Sequence, residues 1–553
     1  MKYADKPWLK NIEARVPRNV FLPEIPGYQF LSDAAQKAPQ NTAVDFYGTE
    51  FSYSELENLS SKLANSLQSL GISKGERVAM YMDNSPQYIM AFFAVLKAGG
   101  IVVQISPLQT ENDLLFVLND AEIKGIFTLD YLLPRVLAVK ERSSLKFIAC
   151  ACLYDYLPRL PQPQAPFGIP PAPLPIPELD GLYSFTSLLN QSSRFTPVEV
   201  KPGEDVAVLQ YTSGTTGVPK GAMITHYNMT SYVSLVASVD YRSAYGSEVY
   251  PVTLPMSHNY AMYQTVVLPV SLAAKIVIMV RFHPTECLEM IKLHCPTVFR
   301  AVPTILSILA HHPRIKDYDL SSIRHWVVGG APVPDEIVSF FQSVSGGNIV
   351  EGYGLTETTS GMIVNKLYEP TTKGMGMPLM QCEVKIVNPA NEEEVAIGQD
   401  GELMIKGPTV SIGYWRRPEE NDRAFKDGWL RTGDLVRMTE DGVLQFVDRL
   451  KELIIVSGFN VYPSEVENVL YQHPAILEAA VIGSPDPRQG ETVHAVLALK
   501  PGSSATEEEI IGFCRERLAP YKVPKSVSFW AELPKNATGK VLKRRIKDAA
   551  QAV

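Results

Sequence analysis

The chain has 553 residues and a formal net charge of −8, with 51 basic and 59 acidic side chains. This length exceeds what one ordinary hydrophobic core contains, so we expect two or more domains. The acidic balance argues against a nucleic-acid-binding protein, which would present a basic face, and we expect no nucleic-acid partner.

The amino terminus and the cysteines are typical of a cytoplasmic protein. Residues 1–8, MKYADKPW, lack the basic and then apolar pattern of a signal peptide. No apolar run has the length that a bilayer requires, so we expect no transmembrane segment, and a peripheral membrane contact stays open. The six cysteines are scattered without zinc-like spacing, and Cys150 and Cys152 alternate within a predicted buried strand, 147–153. We therefore expect reduced thiols.

Residues 51–130 alternate between helix-like and strand-like periods. Helical periodicity covers 53–70, 88–98 and 110–121, and short apolar runs typical of buried strands cover 77–81, 101–105 and 125–129. This alternation predicts an α/β fold, in which layers of helices cover a largely parallel sheet.

A proline-dense stretch follows at 157–180, where nine residues are proline. Proline donates no backbone hydrogen bond, so we expect neither helix nor sheet here, but an extended excursion over the surface. A ligand for a proline-recognising module is the alternative.

Residues 211–221 read YTSGTTGVPKG, a loop suited to binding phosphate. Its glycines, Gly214 and Gly217, permit a close approach of the backbone to a ligand. Its other polar positions supply hydroxyl donors or a positive charge: Thr212, Ser213, Thr215, Thr216 and Lys220. An apolar run at 206–211 predicts a strand before the loop, and a helix is expected from about His226, so the predicted setting is strand, phosphate loop, helix.

The loop differs from the P-loop of nucleotide triphosphatases. That motif requires glycine before its lysine and serine or threonine after it, whereas this chain has Pro219 before Lys220 and Gly221 after it. The alternative of a plain flexible loop is disfavoured by the Pro-Lys-Gly ending.

The last hundred residues read as a small α/β module that begins near Asp448. Strands are predicted at 477–482 and 493–499. Ser464 with Glu467, and Thr506 with Glu509, have the spacing of capping boxes that begin helices. A segment of this length can form a domain of its own.

Further motifs follow in chain order. They are PMSHNYA at 255–261, AVPT at 301–304, VVGGAP at 327–332, EGYGLTET at 351–358, LRTGDL at 430–435, DRLKELIIVSGFNVYP at 448–463 and PKNATGK at 534–540.

Together with the 211–221 loop, these motifs resemble the adenylate-forming superfamily in sequence and in order, over residues 30–547. The resemblance implies a large N-terminal adenylation domain at 1–448, with layered sheets and helices. It also implies a small C-terminal α+β domain at 449–553 that rotates about a hinge at Lys451. The substrates and cofactors implied are ATP, Mg²⁺, coenzyme A and a carboxylic acid as the small-molecule substrate.

The resemblance also implies roles for single residues. Tyr353 with Gly354 would lie against adenine, Thr356 would contact the α-phosphate, and Glu357 with Thr216 would hold Mg²⁺. Asp434 would bind the ribose, Arg449 the nucleotide, and Lys540 would be the catalytic lysine of adenylation. The remaining implied contacts are with ATP or the acid at Gly330, Ala331 and Pro332, and with coenzyme A at Gly458, Phe459 and Asn460. The residues implied to be catalytic are Thr356, Glu357, Lys540 and His258. Ser257 and Ala261 depart from the family pattern around His258, which puts the shape of the acyl pocket in doubt.

By this resemblance the protein activates a carboxylic acid as acyl-AMP and transfers the acyl group to coenzyme A, releasing AMP and pyrophosphate. Residues 70–130 and 400–540 look most like medium- to long-chain fatty acyl-CoA synthetases. The sequence of the hinge segment also resembles that of aryl-CoA ligases, which is one alternative. Transfer of the acyl group to a carrier protein or an amine is a further alternative. A nucleotide-binding regulator without chemistry is disfavoured by the joint presence of Thr216, Glu357, Asp434 and Lys540. The oligomeric state, monomer or homodimer, is not determined by the sequence.

Overall fold

The computed structural model describes residues 2–158, 166–212, 218–369, 374–535 and 541–551, and only the backbone of residues 550 and 551. The chain divides into two compact units. The larger comprises Asn11–Glu383 and Ile405–Leu430, and the smaller comprises Met1–Lys10, Val384–Met404 and Arg431–Val553. The predicted boundary at residue 448 lies inside the smaller unit and stays a prediction.

The α-helices of the described chain are α1 Gln29–Lys37, α2 Tyr53–Ser69, α3 Pro86–Lys97, α4 Glu111–Asp120, α5 Leu133–Lys140, α6 His226–Val239, α7 Asn259–Ala261, α8 Leu268–Ser271, α9 Pro284–His294, α10 Pro303–Ala310, α11 Asp335–Ser345, α12 Pro418–Ala424, α13 Pro463–Leu470, α14 Glu507–Arg515 and α15 Lys543–Gln551. A π-helical turn, Met262–Val267, joins α7 to α8. Short 3₁₀ turns lie at Tyr3–Asp5, Pro7–Lys10, Leu153–Asp155, Ser187–Asn190, Ile315–Asp317, Thr356–Thr358 and Leu450–Glu452.

The strands are β1 Thr42–Phe46, β2 Thr49–Ser52, β3 Arg77–Tyr81, β4 Ile101–Gln104, β5 Gly125–Leu129, β6 Phe147–Ala151, β7 Leu182–Ser184, β8 Val206–Thr212, β9 Lys220–Thr225, β10 Val249–Val252, β11 Lys275–Ile278, β12 Val298–Ala301, β13 His325–Gly329, β14 Asn348–Gly354, β15 Gly361–Val364, β16 Met377–Pro378, β17 Glu383–Val387, β18 Asp400–Lys406, β19 Phe425–Lys426, β20 Trp429–Met438, β21 Leu444–Arg449, β22 Ile454–Val456, β23 Phe459–Val461, β24 Ile476–Asp486, β25 Gly490–Leu499 and β26 Ser526–Phe529.

A seven-stranded sheet in the order β7-β6-β5-β3-β4-β8-β9 forms the first layer of the larger unit. Its neighbours pair in parallel from β7 to β8, as when Val78 of β3 lies opposite Val102 of β4. The central strands are short apolar runs whose side chains are buried on both faces, as parallel sheets covered by helices require. The predicted alternation over 51–130 is confirmed.

Two further sheets complete the larger unit. One has the order β12-β13-β14-β15-β16, parallel over its first three strands, and the other β10-β11-β1-β2. The buried rings of Phe299, Trp326 and Phe341 pack together beside the first of these, with centroid distances of 4.9 and 4.6 Å. This aromatic core fixes β12 and β13 against α11, so the loops that leave these strands have a rigid base.

The setting of the phosphate loop differs from the prediction. A strand does precede the loop and α6 does begin at His226, but β9 lies between loop and helix and pairs antiparallel with β8. The 220–225 segment forms a strand because five of its six residues are buried against β8. The loop therefore joins two hydrogen-bonded strands rather than a strand and a helix.

The smaller unit contains a sheet in the order β23-β22-β25-β24, with β26 parallel to β25. The capping box of Thr506 and Glu509 is confirmed at the start of α14. The box of Ser464 and Glu467 is wrong, because α13 begins at Pro463 and the hydroxyl of Ser464 donates to the Val447 carbonyl at 2.6 Å. The remaining strands, β17 to β21, form a sheet in the order β17-β18-β20-β19, with β21 on β20.

Residues 166–180 of the proline-dense stretch contain no helix or strand and are mostly exposed, and 159–165 lie outside the described residues. Cys150 and Cys152 are buried at β6, and burial raises the pKa of both thiols to about 12. This environment supports a packing role for the pair. Within the described ranges, every helix is too short or too polar to cross a membrane.

Candidate nucleotide and acyl site

The two ends of the predicted phosphate loop are held by β8 and β9. Thr212 ends β8 and lies opposite Lys220, which begins β9. The loop residues between them, Ser213, Gly214, Thr215, Thr216 and Gly217, lie outside the described residues. The structure thus fixes where the loop departs and returns.

Lys220 is a largely buried cation beside the loop, with 9% of the residue exposed. Its Nζ lies 5.1 Å from the centroid of the Tyr414 ring and 4.0 Å from a carboxylate oxygen of Glu420. A buried ammonium requires such electron-rich neighbours, and it also attracts phosphate oxygens. The position suits the predicted contact with ATP.

Glu357, in the same unit, contacts the same tyrosine as this lysine. It belongs to the 3₁₀ turn Thr356–Thr358, and its Oε1 accepts a hydrogen bond of 2.6 Å from the Tyr414 hydroxyl. Its carbonyl oxygen accepts from the Ser411 amide at 2.8 Å. One carboxylate oxygen is thereby oriented and Oε2 is left as a candidate metal ligand.

The residues present fit Mg²⁺ better than a metal ion whose ligands all come from protein side chains. Among the described residues, no group of three or more histidine, cysteine, aspartate or glutamate side chains could hold a metal. Magnesium is commonly bound by one or two carboxylates together with water and substrate phosphates. A single oriented carboxylate beside a phosphate loop satisfies that requirement.

Tyr353 and Gly354 end β14, directly before the turn that carries Thr356 and Glu357. A Cβ at Gly354 would lie 1.9 Å from the Ser360 carbonyl oxygen, so only glycine fits here. The close approach lets the end of β14 pair with β15 at Gly361.

Gly330, Ala331 and Pro332 follow β13 and are exposed. Gly330 has φ +91°, a conformation that glycine adopts without strain. Since β13 and β14 are parallel neighbours, the segments that leave their carboxyl ends lie at one edge of the sheet, where α/β proteins bind ligands. The structure therefore places 330–332 near Tyr353.

His258 caps the short helix α7, and its Nδ1 accepts from the Tyr260 amide at 3.2 Å. The segment around it is tied on two sides. Gln210 of β8 donates to the Ser257 carbonyl at 3.1 Å, and Asn259 donates to the Thr359 carbonyl at 2.7 Å. The residues on either side of His258 thus tie its segment to β8, the strand before the phosphate loop, and to Thr359, just after the turn that carries Glu357.

Tyr260 connects the same segment to the predicted acyl side. Its hydroxyl donates to the Val327 carbonyl of β13 at 2.8 Å, and a Cβ at Gly329 would lie 3.5 Å from its ring. Ser257 and Ala261, which depart from the family pattern, are both buried. They shape the wall of this region through packing.

The smaller unit carries the predicted ribose and nucleotide residues. Asp434 of β20 lies opposite Arg449 of β21, and Arg449 Nε is 3.2 Å from Asp434 Oδ1. Asp434 is 3% exposed, so its carboxylate is preorganised by this ion pair. Both side chains can bind a polar partner, one as acceptor and the other as donor.

The predicted hinge and thiol-tunnel residues lie close by in the chain. Lys451 is exposed in the 3₁₀ turn Leu450–Glu452. Gly458 lies at the tight turn between β22 and β23 with φ +82° and open space around a built Cβ. Phe459 stacks on Tyr521 at 4.9 Å, and Asn460 pairs with Ile455 across the hairpin. Lys540 lies outside the described residues.

Sequence reasoning did not single out Tyr414, Arg417 or Asp120, which contact the loop ends or Glu357. A signal was present in the segment Tyr-Trp-Arg-Arg at 414–417, two aromatic residues and two arginines directly before a proline. Its significance depends on partners that are distant in the chain.

Comparison with known proteins agrees with this arrangement. Residues 31–415 match the family model described as AMP-binding enzyme, and residues 465–540 match the AMP-binding enzyme C-terminal domain. The chain belongs to the AMP-binding enzyme family. The prediction of an adenylate-forming enzyme with a large N-terminal and a small C-terminal domain is confirmed, and the predicted boundary at 448 falls between the two matches.

Individual members of the family align along nearly the whole chain. A long-chain-fatty-acid–CoA ligase of Bacillus subtilis is 39% identical over 98% of both chains. A feruloyl-CoA synthase of an Amycolatopsis species is 35% identical over 93% of this chain and 96% of its own. The crystal structure of ATP-bound MatB from Rhodopseudomonas palustris is 27% identical, with a TM-score of 0.84 over 95% of this chain and 99% of that one. This AMP-binding enzyme thus has relatives that act on aliphatic and on aromatic acids.

Proposed function

We propose that this AMP-binding enzyme is an acid–thiol ligase that activates a carboxylic acid with ATP and transfers it to coenzyme A. The products are acyl-CoA, AMP and pyrophosphate. One observation carries the proposal: Lys220, Glu357 and Tyr414 meet beside the ends of a glycine- and hydroxyl-rich loop. A cation and an oriented carboxylate at the ends of such a loop support the proposal that the phosphates of ATP bind there.

The chemistry requires activation because a carboxylate repels nucleophiles and oxide is a poor leaving group. In the first step, a carboxylate oxygen of the acid attacks the α-phosphorus, and the bond from that phosphorus to the pyrophosphate oxygen breaks. Lys220 and the 212–217 loop stabilise the charge on the departing pyrophosphate. Thr356 contacts the α-phosphate, and Lys540 neutralises negative charge on the transferring group.

Glu357, with Thr216, is proposed to hold Mg²⁺, which supplies neutralisation of phosphate charge when bound. Tyr353 and Gly354 pack against adenine. Asp434 accepts hydrogen bonds from the ribose hydroxyls, and Arg449 contacts the nucleotide. His258, with Gly330, Ala331 and Pro332, lines the side where the acid and adenine lie.

In the second step, the thiolate of coenzyme A attacks the acyl carbonyl carbon and AMP leaves. We propose that Gly458, Phe459 and Asn460 form the wall along which the pantetheine arm passes. The tight hairpin supports this role, since a glycine in open space at its turn leaves room for a ligand. We propose that segment 449–553 rotates about Lys451 between the two steps. Lys540 faces the bound nucleotide in the first step, and Gly458, Phe459 and Asn460 face it in the second.

The proposed acid is a medium- to long-chain fatty acid. The long-chain-fatty-acid–CoA ligase of Bacillus subtilis, 39% identical to this chain, supports this choice. Each methylene buried in an apolar channel contributes about 0.8 kcal/mol, or roughly a fourfold change in binding, so channel depth can select chain length. An aryl acid is the second candidate, supported by the feruloyl-CoA synthase relative.

A cytoplasmic location is proposed from the substrates and the thiols. ATP and coenzyme A are cytoplasmic metabolites, and the free cysteines of the described chain are buried apart from Cys295. Transfer to a carrier protein or an amine instead of coenzyme A stays an alternative that the same assay addresses.

A panel of acids tests the proposal. The panel comprises acetate, octanoate, palmitate, oleate, benzoate and cinnamate, scored by pyrophosphate release, which reports adenylation, and by coenzyme A-dependent AMP release, which reports transfer. We expect the largest coenzyme A-dependent AMP release with the aliphatic acids of eight or more carbons. Preference for benzoate or cinnamate would establish the aryl alternative, pyrophosphate release without coenzyme A-dependent AMP release would point to another acceptor, and no pyrophosphate release with any acid would refute adenylation.

A further inference from the structure

A segment at 409–417, here called the clasp, runs beside β9 and is hydrogen bonded to it. The Met223 amide donates to the Gly413 carbonyl at 2.8 Å, and the Ile412 amide donates to the Met223 carbonyl at 3.1 Å. The Trp415 amide donates to the Gly221 carbonyl, next to Lys220, at 2.8 Å. The clasp is therefore fixed against the strand at which the phosphate loop returns.

Tyr414, in the clasp, joins two charged groups of the candidate site. Its hydroxyl donates to Glu357 Oε1 at 2.6 Å, and its ring lies over the Lys220 ammonium at 5.1 Å. The side chain is 8% exposed. A tyrosine hydroxyl is protonated at neutral pH, so Tyr414 is the donor in its hydrogen bond to Glu357.

Arg417, at the end of the clasp, reaches the other end of the loop through one carboxylate. Its guanidinium lies 2.5 Å from Asp120 Oδ1, and Asp120 Oδ2 accepts from the Tyr211 hydroxyl at 2.6 Å. Tyr211 directly precedes Thr212, where the loop departs. One oxygen of Asp120 thus contacts the clasp and the other contacts the end of β8.

The clasp therefore contacts the β9 end of the loop and the candidate magnesium ligand directly, and it reaches the β8 end through Asp120. We infer that Tyr414 and Arg417 are positioning residues for the phosphates of ATP, Tyr414 through Glu357 and Lys220, and Arg417 through Asp120 and Tyr211. This inference rests on the proposed function for the identity of its ligand. Because catalysis of phosphoryl transfer consists mainly of positioning and charge stabilisation, a fixed frame around the loop is itself part of the site.

The chain offers a matched control for each residue. Arg416, the neighbour of Arg417, forms a bidentate pair with Glu122 at 2.7 and 2.8 Å, but about half of each side chain is exposed. Tyr53 is fully buried at the start of α2 and donates to the carbonyl of Ala274, just before β11, at 2.7 Å. R416Q and Y53F therefore remove an ion pair and a buried hydroxyl without removing a hydrogen bond or an ion pair of the loop ends.

The test for Tyr414 is equilibrium binding of ATP to the full chain, measured by calorimetry with and without Mg²⁺. We expect Y414F to weaken binding of Mg²⁺–ATP about tenfold and to leave binding of metal-free ATP unchanged, because a charge-assisted hydrogen bond orients the metal ligand. Y53F should bind as the unmodified protein does. Unchanged binding of Mg²⁺–ATP by Y414F, or equal weakening with and without the metal, would overturn its role.

The test for Arg417 compares R417Q, R417K and R416Q in the same binding assay. We expect R417Q to weaken Mg²⁺–ATP binding about fivefold, R417K to recover most of the loss, and R416Q to show none. Equal effects of R417Q and R416Q would overturn the assignment. If the unmodified protein binds Mg²⁺–ATP but releases no AMP with any acid, the proposed function fails while these comparisons still decide the inference. If it does not bind Mg²⁺–ATP, both fail.

Discussion

His226 is a buried histidine whose environment couples the stability of the larger unit to pH. Its Nδ1 accepts a hydrogen bond of 3.0 Å from the Gly27 amide. Burial lowers the pKa of His226 to about 4, with Asp205 opposing the shift and Lys74 adding to it. In the unfolded chain the imidazole has an ordinary pKa near 6.5, so as the pH falls the unfolded state takes up the proton first.

We therefore expect the unfolding free energy to fall by up to about 3 kcal/mol through this group as the pH drops from 7 to 4. H226N keeps an acceptor for the Gly27 amide but does not titrate. Urea denaturation at several pH values should show the unmodified protein losing its advantage over H226N as the solution is acidified. A stability difference that is constant across this range would contradict the assignment.

At the scale of elements, the starts of helices are set by local hydrogen bonds that single substitutions can measure. The Ser52 hydroxyl accepts from the Glu55 amide at 3.2 Å, and Glu55 Oε2 accepts from the Ser52 amide at 2.8 Å. This capping box satisfies two backbone donors at the start of α2.

We expect S52A to lower the unfolding free energy by about 1 kcal/mol. S54A, at an exposed position inside the same helix, should change it by less than about 0.5 kcal/mol. Thermal melts of the two variants provide the comparison. Equal melting temperatures would show that the box contributes nothing to α2.

The hairpin of β22 and β23 permits a test of the thiol-tunnel prediction. Gly458 has φ +82° and nothing within 4 Å of a built Cβ, so a side chain there is strained by backbone conformation rather than by collision. We expect G458W to reduce thioester formation from supplied acyl-AMP at least tenfold while AMP-forming activation continues. G458N, which tolerates a positive φ, should retain both steps. Loss of thioester formation in G458N as well would assign the effect to strain in the turn.

At the scale of the whole molecule, the proposed rotation assigns the two steps to different residues of the C-terminal segment. We expect K540A to reduce adenylation by at least a hundredfold while thioester formation from supplied acyl-AMP is spared. K535A is the control, because Lys535 lies in the same terminal segment but pairs with Glu478. Single-step assays of both reactions decide the matter. Equal loss of the two steps in K540A would contradict its assignment to adenylation.

The sequence was sufficient wherever a structure depends on neighbours in the chain. The parallel strands at 77–81 and 125–129 and the capping box at Thr506 follow from short-range periodicity and spacing, and all are found in the structure. The Ser464 box failed because the Ser464 amide donates to Asp448 and its hydroxyl to Val447, both some sixteen residues earlier. A pattern of spacing does not reveal that such a competing partner is near.

By itself, the sequence determined the family, the α/β class and the order of the binding motifs, since these depend on residue types at fixed separations. Only the tertiary structure decided that β9 intervenes before α6 and that Tyr414 meets Glu357, from which it is 57 residues distant, and Lys220. The reason is physical: hydrogen bonds and charge contacts between distant segments form only after the sheets have packed. Their partners are therefore chosen by the fold rather than by the spacing of residues along the chain.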